Sequence, residues 1–230
     1  GERGVMRVLL LGHGRMGRLV ESLAAEYGAT VAGVIDGHSG PRANADGGFG
    51  PADVAIDFTL ADAVPKNLPQ LAERQINVVI GTTGWHAHEE TMRDVAAKAG
   101  IGVLAASNFS LGMNIFQLAV EEASRNFAKH AEFGAWIHEA HHVMKKDAPS
   151  GTALTLKAGM VSAGYARPID VSSTRAGAVP GTHTVGFDGP SETIELTHTV
   201  RDRAVFARGA LTAAKWLVGR RGWFSLRDML

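Results

Sequence analysis

The chain has 230 residues, 45% of them hydrophobic, enough to bury a core in one large or two small domains. Its 23 basic and 23 acidic residues balance, so no global field draws it to nucleic acid or to a membrane surface, and any anion site has to be local. It has no cysteine, which removes disulfides and thiolate metal sites, and no apolar run near the ~20 residues of a membrane span.

The N-terminus, GERGVMRVLLLG, lacks the long apolar stretch and small-residue cleavage site of a signal peptide, so the expectation is a soluble cytoplasmic protein. Gly1 to Val5, ahead of Met6, read either as a leader or as an appended segment. Residues 6–11, MRVLLL, form a short apolar run ending in glycine, the pattern of a buried parallel strand. Met16, Leu19, Val20, Leu23 and Tyr27 then recur at helical spacing. Between strand and helix lies GHGRMG, Gly12 to Gly17, which fits G-x-G-x-x-G in the required context. Gly12 permits the tight turn, Gly14 lets a pyrophosphate approach the backbone, and Gly17 allows close strand–helix packing. The amides opening the helix would bind the phosphates. The second strand, ATVAGVID (29–36), ends in Asp36, nineteen residues after Gly17. Its carboxylate suits both adenosine-ribose hydroxyls and, with no arginine directly after it, slightly favours NADH, use of both nucleotides staying open. Arg42 is six residues further on, in the Gly- and Pro-rich stretch 37–50, which reads as a mobile loop.

DVAIDF (53–58), NVVIG (77–81) and GVLAAS (102–107) read as three more strands, with helices around 61–74 and 86–99. Strands alternating with helices indicate a doubly wound parallel sheet. The loops GTTGW (81–85) and ASNFS (106–110) follow strand C-terminal ends. Their small and hydroxyl residues fit either ribose and nicotinamide contacts or ordinary caps.

The pattern changes near residue 108. Phe116, Ala119, Val120, Ala123 and Phe127 mark a long amphipathic helix; EFGAWIHEAHH reads as a strand and 151–163 as a helix. THTVGF and SETIELTHTV read as strands. In the latter, Ile194, Leu196, His198 and Val200 share one face, the mark of an antiparallel sheet covered on one side. His198 reads as a satisfied core histidine, and 210–219 as a helix. Chemistry concentrates in EAHHVMKKDAPSGTAL (139–154). Ser150 can cap the helix opening at Gly151, leaving the amides of Gly151, Thr152 and Ala153 as an anion site with Lys145 and Lys146 upstream. His141 and His142 end the strand on opposite faces, and one of them can transfer a proton near neutral pH. Three plainer readings stand beside these: packed structural histidines; one of the two lysines as solvated charge; and a metal site from His138, Glu139, His141 and His142, for which no third-ligand motif is apparent.

GRMG (14–17), DFT (57–59), GTTG (81–84), SNFSLGMN (107–114) and EAHHVMKKDAPSGTA (139–153) together resemble the dihydrodipicolinate (4-hydroxy-tetrahydrodipicolinate) reductase family, as do RAGAVPGTHTV (175–185) and FARGALTAAKWL (206–217). The resemblance runs nearly end to end. It implies a Rossmann-like dinucleotide domain over 1–108 and 208–230, and a substrate-binding α+β domain over 109–207 built on a mixed sheet used in a homotetramer. It implies reduction of a cyclic dicarboxylate by NADH or NADPH in lysine and diaminopimelate biosynthesis, without a metal. It implies His141 as proton donor, Lys145 in proton donation or carboxylate binding, and substrate contacts from His142, Ser150, Gly151 and Thr152. The dinucleotide site it implies comprises Gly12, His13, Gly14, Arg15, Met16, Gly17, Asp36, Gly81, Thr82, Thr83, Ala106, Ser107, Asn108 and Phe109. The chain departs from many members by one residue fewer in the first glycine loop and by short segments near 37–50 and 165–175. The same glycine loop also fits another NAD(P)-dependent dehydrogenase of small carboxylates, which has no need of the paired histidines. A redox-sensing regulator would bind the cofactor without turnover, but no basic recognition helix is present. A metal-dependent hydrolase would use the histidines and lose activity to a chelator.

Overall fold

Strand β1 (Met6–Leu11) sits inside a seven-stranded sheet because almost every side chain on it is apolar and both faces are covered. The computed structural model describes residues 4–36 and 51–230 in full, and the backbone alone of 40–42. Strands β2 (Ala29–Asp36), β3 (Gly40–Arg42), β4 (Val54–Asp57), β5 (Asn77–Ile80) and β6 (Gly102–Ala105) join β1. The last strand, β11 (Gly222–Phe224), completes the order β11-β6-β5-β4-β1-β2-β3. All are parallel except β3, which pairs antiparallel with β2. The expectation that 37–50 forms a mobile loop concerns residues that, apart from the backbone of β3, lie outside the described ones.

Helices α1 (Arg15–Leu23) and α6 (Ala204–Leu217) pack together, and α6 also lies on β4, β5 and β6. Helices α2 (Val64–Glu73) and α3 (Glu89–Ala99) cover a cluster that includes Leu9, Leu11, Ala55, Val78, Ile80 and Val103. The alternate residues Val8, Leu10, Ile56, Val79 and Leu104 are buried as well, as a sheet covered on both faces requires. The chain leaves β1 toward β2 but returns through β4 toward β5 and β6. The order therefore reverses between β1 and β4, where doubly wound sheets bind ligands beyond the strand C-termini.

Contacts divide the chain into two units, Gly1–Ser110 with Ala204–Leu230, and Leu111–Arg203. The second holds α4 (Leu111–Phe127), β7 (Gly134–His141), α5 (Gly151–Ser162), β8 (Ile169–Arg175), β9 (Thr182–Asp188) and β10 (Thr193–Thr199). Its sheet runs β10-β9-β7-β8, antiparallel except that β8 is parallel to β7. The sheet is thus mixed, where the residue pattern alone pointed to an antiparallel one. The inner face carries Ala135, Ile137, Val185 and Phe187 against Leu156 and Met160 of α5 and Val120 of α4. At one level a polar row crosses it: Ser173, Glu139, His183 and His198 are register partners on β8, β7, β9 and β10. No helix among the described residues is long and apolar enough to cross a membrane.

Candidate active site

In the first unit the glycine loop has three different reasons for its three glycines. Gly12 adopts φ +87°, and a Cβ there would lie 2.4 Å from the Phe58 carbonyl oxygen. A Cβ on Gly17 would lie 2.2 Å from the Gly12 oxygen, so strand and helix meet there without room for a side chain. Gly14 is the N-cap of α1, and a Cβ on it would meet no protein atom within 4 Å. No packing reason therefore explains glycine at 14, and the bare position leaves room for a ligand to approach the first turn of α1. Arg15 is exposed and Met16 half-buried at that turn, whereas the His13 imidazole pairs with Glu21 of α1. Asp36 is the last residue of β2.

The two small-residue loops are braced from below. Asp57, at the end of β4, is buried and accepts from the Thr59 amide at 3.0 Å, the Thr59 hydroxyl at 2.6 Å and the Thr82 hydroxyl at 3.1 Å. The Thr82 hydroxyl is thus committed inward, while Thr83 is exposed. Gly81 is glycine because the Phe58 ring fills the place of its Cβ. That ring packs edge-on against Phe109, so the Phe109 side chain is core and its neighbours Ala106 and Ser107 are the more accessible residues of their loop. Asn108 closes a local turn by accepting from the Ser110 amide at 2.9 Å. A cavity of about 270 Å³ brings Thr82, Thr83, Ala106 and Ser107 together beside Trp85 and Trp223. These loops fit a dinucleotide: a side-chain-free cradle at a helix start, and two rigid turns at neighbouring strand ends.

The second unit gathers the ionisable residues. Glu139 and His141 lie two apart on β7 and so share its inner face. Glu139 is fully buried. Arg175, the β8 register partner of His141, forks onto it with Nη1 to Oε2 at 2.9 Å and Nη2 to Oε1 at 2.8 Å. The Ser150 amide donates to Oε1 at 3.1 Å, and His141 Nδ1 bonds Oε2. Burial pushes the Glu139 carboxyl up, but hydrogen bonds from Arg175, Ser173, His141 and Ser150 together bring it down to about 2. His141 Nε2 points past Gly181, which has φ +147°; a Cβ there would stand 3.0 Å from that nitrogen. The His183 ring meets the His141 ring edge-on at 5.1 Å and bonds Ser150 Oγ at 2.9 Å. Burial first, then the charge of His141, hold His183 down at about 4.

Ser150 caps α5 as the sequence implies, but its hydroxyl accepts from the Ala153 amide at 3.1 Å, so Ala153 leaves the anion site and Gly151 and Thr152 remain. Ser150 itself is buried between that amide and His183, which makes it a support of the helix start. Lys145 is half-buried with Nζ 2.8 Å from Asp147 Oδ1, and Lys146 is the exposed lysine of the pair. Asp147 is held below the usual carboxylate range by the Lys145 hydrogen bond, with the Gly151 amide also contributing. His142 is half-buried just beyond the end of β7. His198 packs on Phe116, yet its buried Nδ1 has no hydrogen-bond partner among the described residues, so it is a core histidine but not a satisfied one.

Arg175, His183 and Gly181 are the residues that sequence reasoning passed over. Glu139 was weighed only as a metal ligand. Donor atoms of Glu139, His141 and His183 do come within 4.8 Å of one another, but the cation engaging the carboxylate is the Arg175 guanidinium. One signal was available: an acidic residue two before His141 on the same strand face must be buried with it, and a buried carboxylate needs a cation.

A doubly wound parallel sheet with a side-chain-free helix start at its switch point is the arrangement of dinucleotide-binding proteins. Two family models match the chain, dihydrodipicolinate reductase N-terminus over residues 6–109 and C-terminus over 112–230. The chain belongs to the dihydrodipicolinate reductase family. It is 42% identical over 242 residues to the 4-hydroxy-tetrahydrodipicolinate reductase of Xanthomonas euvesicatoria pv. vesicatoria, covering 98% of both chains. It is 40% identical to that of Stenotrophomonas maltophilia (strain K279a), again over 98% of both. In fold it is similar to the dipicolinate-bound dihydrodipicolinate reductase of Paenisporosarcina sp. TG-14, with a TM-score of 0.82 at 19% identity, covering 98% of this chain and 100% of that one.

Proposed function

We propose that the chain reduces 4-hydroxy-tetrahydrodipicolinate to tetrahydrodipicolinate, with the unit of 4–110 and 204–230 binding the nicotinamide nucleotide and the 111–203 unit binding the cyclic dicarboxylate. The observation that carries this reading is the Asp147 carboxylate, whose Oδ1 lies 2.8 Å from Lys145 Nζ just ahead of the start of α5. It supports a carboxylate site at this corner. A substrate carboxylate takes the same partners, helped by the positive end of α5. Loss of water from the 4-hydroxy compound gives a conjugated ring, and a reduced nicotinamide, when bound, would supply the hydride for its C4. Electrons shift through the conjugated ring, and C3 takes a proton from His141, whose Nε2, the nitrogen not bonded to Glu139, is the atom able to give it. Lys145 steadies the carboxylate and the charge that develops, and His142 lines the same loop.

Asp36 at the end of β2 supports a preference for NADH. The outer face of the four-stranded sheet bears paired threonine hydroxyls, Thr184 with Thr197 and Thr182 with Thr199, and supports assembly of a homotetramer sheet against sheet.

The test follows absorbance at 340 nm while the aldol product of pyruvate and aspartate semialdehyde is supplied with NADH, then with NADPH. Turnover faster with NADH is expected. His141→Gln should lower turnover about 10²- to 10³-fold with little change in cofactor affinity. Lys145→Ala should damage both turnover and substrate binding. No oxidation of either nucleotide by the native chain, or near-normal turnover in His141→Gln, sinks the assignment.

A further inference from the structure

Glu139 makes no use of its charge at the surface, and no apolar packing explains a carboxylate fully enclosed under a sheet. What it holds is specific. Being ionised, it only accepts hydrogen bonds, so the ring nitrogen facing it, His141 Nδ1, must be the one carrying a proton. The exchangeable proton of His141 is then confined to Nε2, the nitrogen beside Gly181, where a Cβ would stand 3.0 Å away.

Arg175 extends the arrangement. Its Nε donates to the Lys145 carbonyl at 3.3 Å and its Nη2 to the Asp147 carbonyl at 2.6 Å, while Nη1 also reaches the Thr174 carbonyl at 2.9 Å. With the two bonds to Glu139, all five guanidinium donors are engaged. The side chain has no freedom left, and the backbone that carries Lys145 is tied to the carboxylate that orients His141.

We propose that Glu139, clamped by Arg175, is the positioning residue of the site: it fixes the tautomer and ring plane of His141 and, through Arg175, the placement of Lys145. This rests on the reading of His141 as proton donor. The ionisable groups around the His141 ring are Glu139 on its own strand, Arg175 on β8, His183 on β9 with His198 beyond it on β10, and Lys145 and Asp147 in the loop before α5. Among them, Glu139 is the one bonded to the ring.

The proposal predicts opposite pH effects from two substitutions. A proton donor has to carry its proton to act, so turnover falls at high pH. Glu139→Gln keeps the shape but removes the negative charge, so that falling limb should move to lower pH. Turnover at neutral pH should drop about 10- to 100-fold, with a smaller change in KM. Arg175→Gln removes the opposing positive charge, and the limb should move to higher pH. A merely structural Glu139 lowers the active fraction in both variants and moves neither limb. The ¹⁵N shifts of the His141 ring, recorded against pH, give the same answer without turnover: the native ring should keep Nδ1 protonated throughout, and Glu139→Gln should lose that preference. Should Arg175→Gln not fold, the ring spectra and pH profile of Glu139→Gln decide alone. An unmoved limb and unchanged ring spectra in folded Glu139→Gln overturn the proposal. Near-normal turnover in His141→Gln, by contrast, removes the reading beneath it.

Discussion

In the proposed function Lys145 binds the substrate carboxylate, and Asp147 already lies 2.8 Å from its Nζ with more than half of its own side chain exposed. It therefore competes with substrate, weakly, because an exposed ion pair contributes little. Asp147→Asn should lower the substrate KM by about 2- to 5-fold with turnover nearly unchanged. An increased KM would show instead that Asp147 holds Lys145 in its working position. The same comparison bears on salt: screening weakens the Lys145–Asp147 pair, so the native KM should respond to ionic strength differently from that of the variant.

Among the elements, β1, the glycine loop and α1 make the sharpest contrast. Gly14→Ala adds a methyl group where no protein atom stands within 4 Å, whereas Gly17→Ala places one 2.2 Å from a backbone oxygen. The first should cost under about 1 kcal/mol of stability yet weaken nucleotide binding, measured by fluorescence titration. The second should lose binding and also roughly 1–3 kcal/mol of stability. Equal binding by the native chain and Gly14→Ala would remove the phosphate cradle. The parallel strands of the first unit were legible because burial on both faces leaves continuous apolar runs, as in MRVLLL and VAID. The helix start at Gly151 was legible from Ser150 alone. Strand β8, IDVSSTR, was not: it is an edge strand with little apolar alternation. Missing it hid Arg175, whose meeting with Glu139 spans 36 residues and exists only through the parallel β7–β8 register. The motif around the paired histidines thus pointed to the residues of the proposed site, but not to the Glu139–Arg175 pair packed beneath them.

For the whole molecule, the buried polar row makes the 111–203 unit acid-sensitive in a defined sense. His183 titrates at about 4 when folded, below the 6.5 of a free imidazole. Its contribution is complete above about 6.5 and is lost as pH falls toward 4, because the unfolded chain binds the proton first. Glu139 adds a second loss in the same direction, between about 4.5 and 2. The urea midpoint of this unit, read from the indole signal of Trp136, its only tryptophan, should fall between pH 7 and 5, and His183→Gln should flatten that slope. A native midpoint independent of pH over that range would contradict the burial argument. The interleaving of the two units has another outcome. Helix α6, which buries Ala207, Ala210, Leu211, Ala214 and Leu217, and the closing strand β11 both come from the far end of the chain. On a ribosome the interior segment emerges complete while β1 to β6 still lack their last partners. The portion synthesised first is thus the one that must wait, with an apolar sheet face open to chaperones until α6 and β11 have emerged.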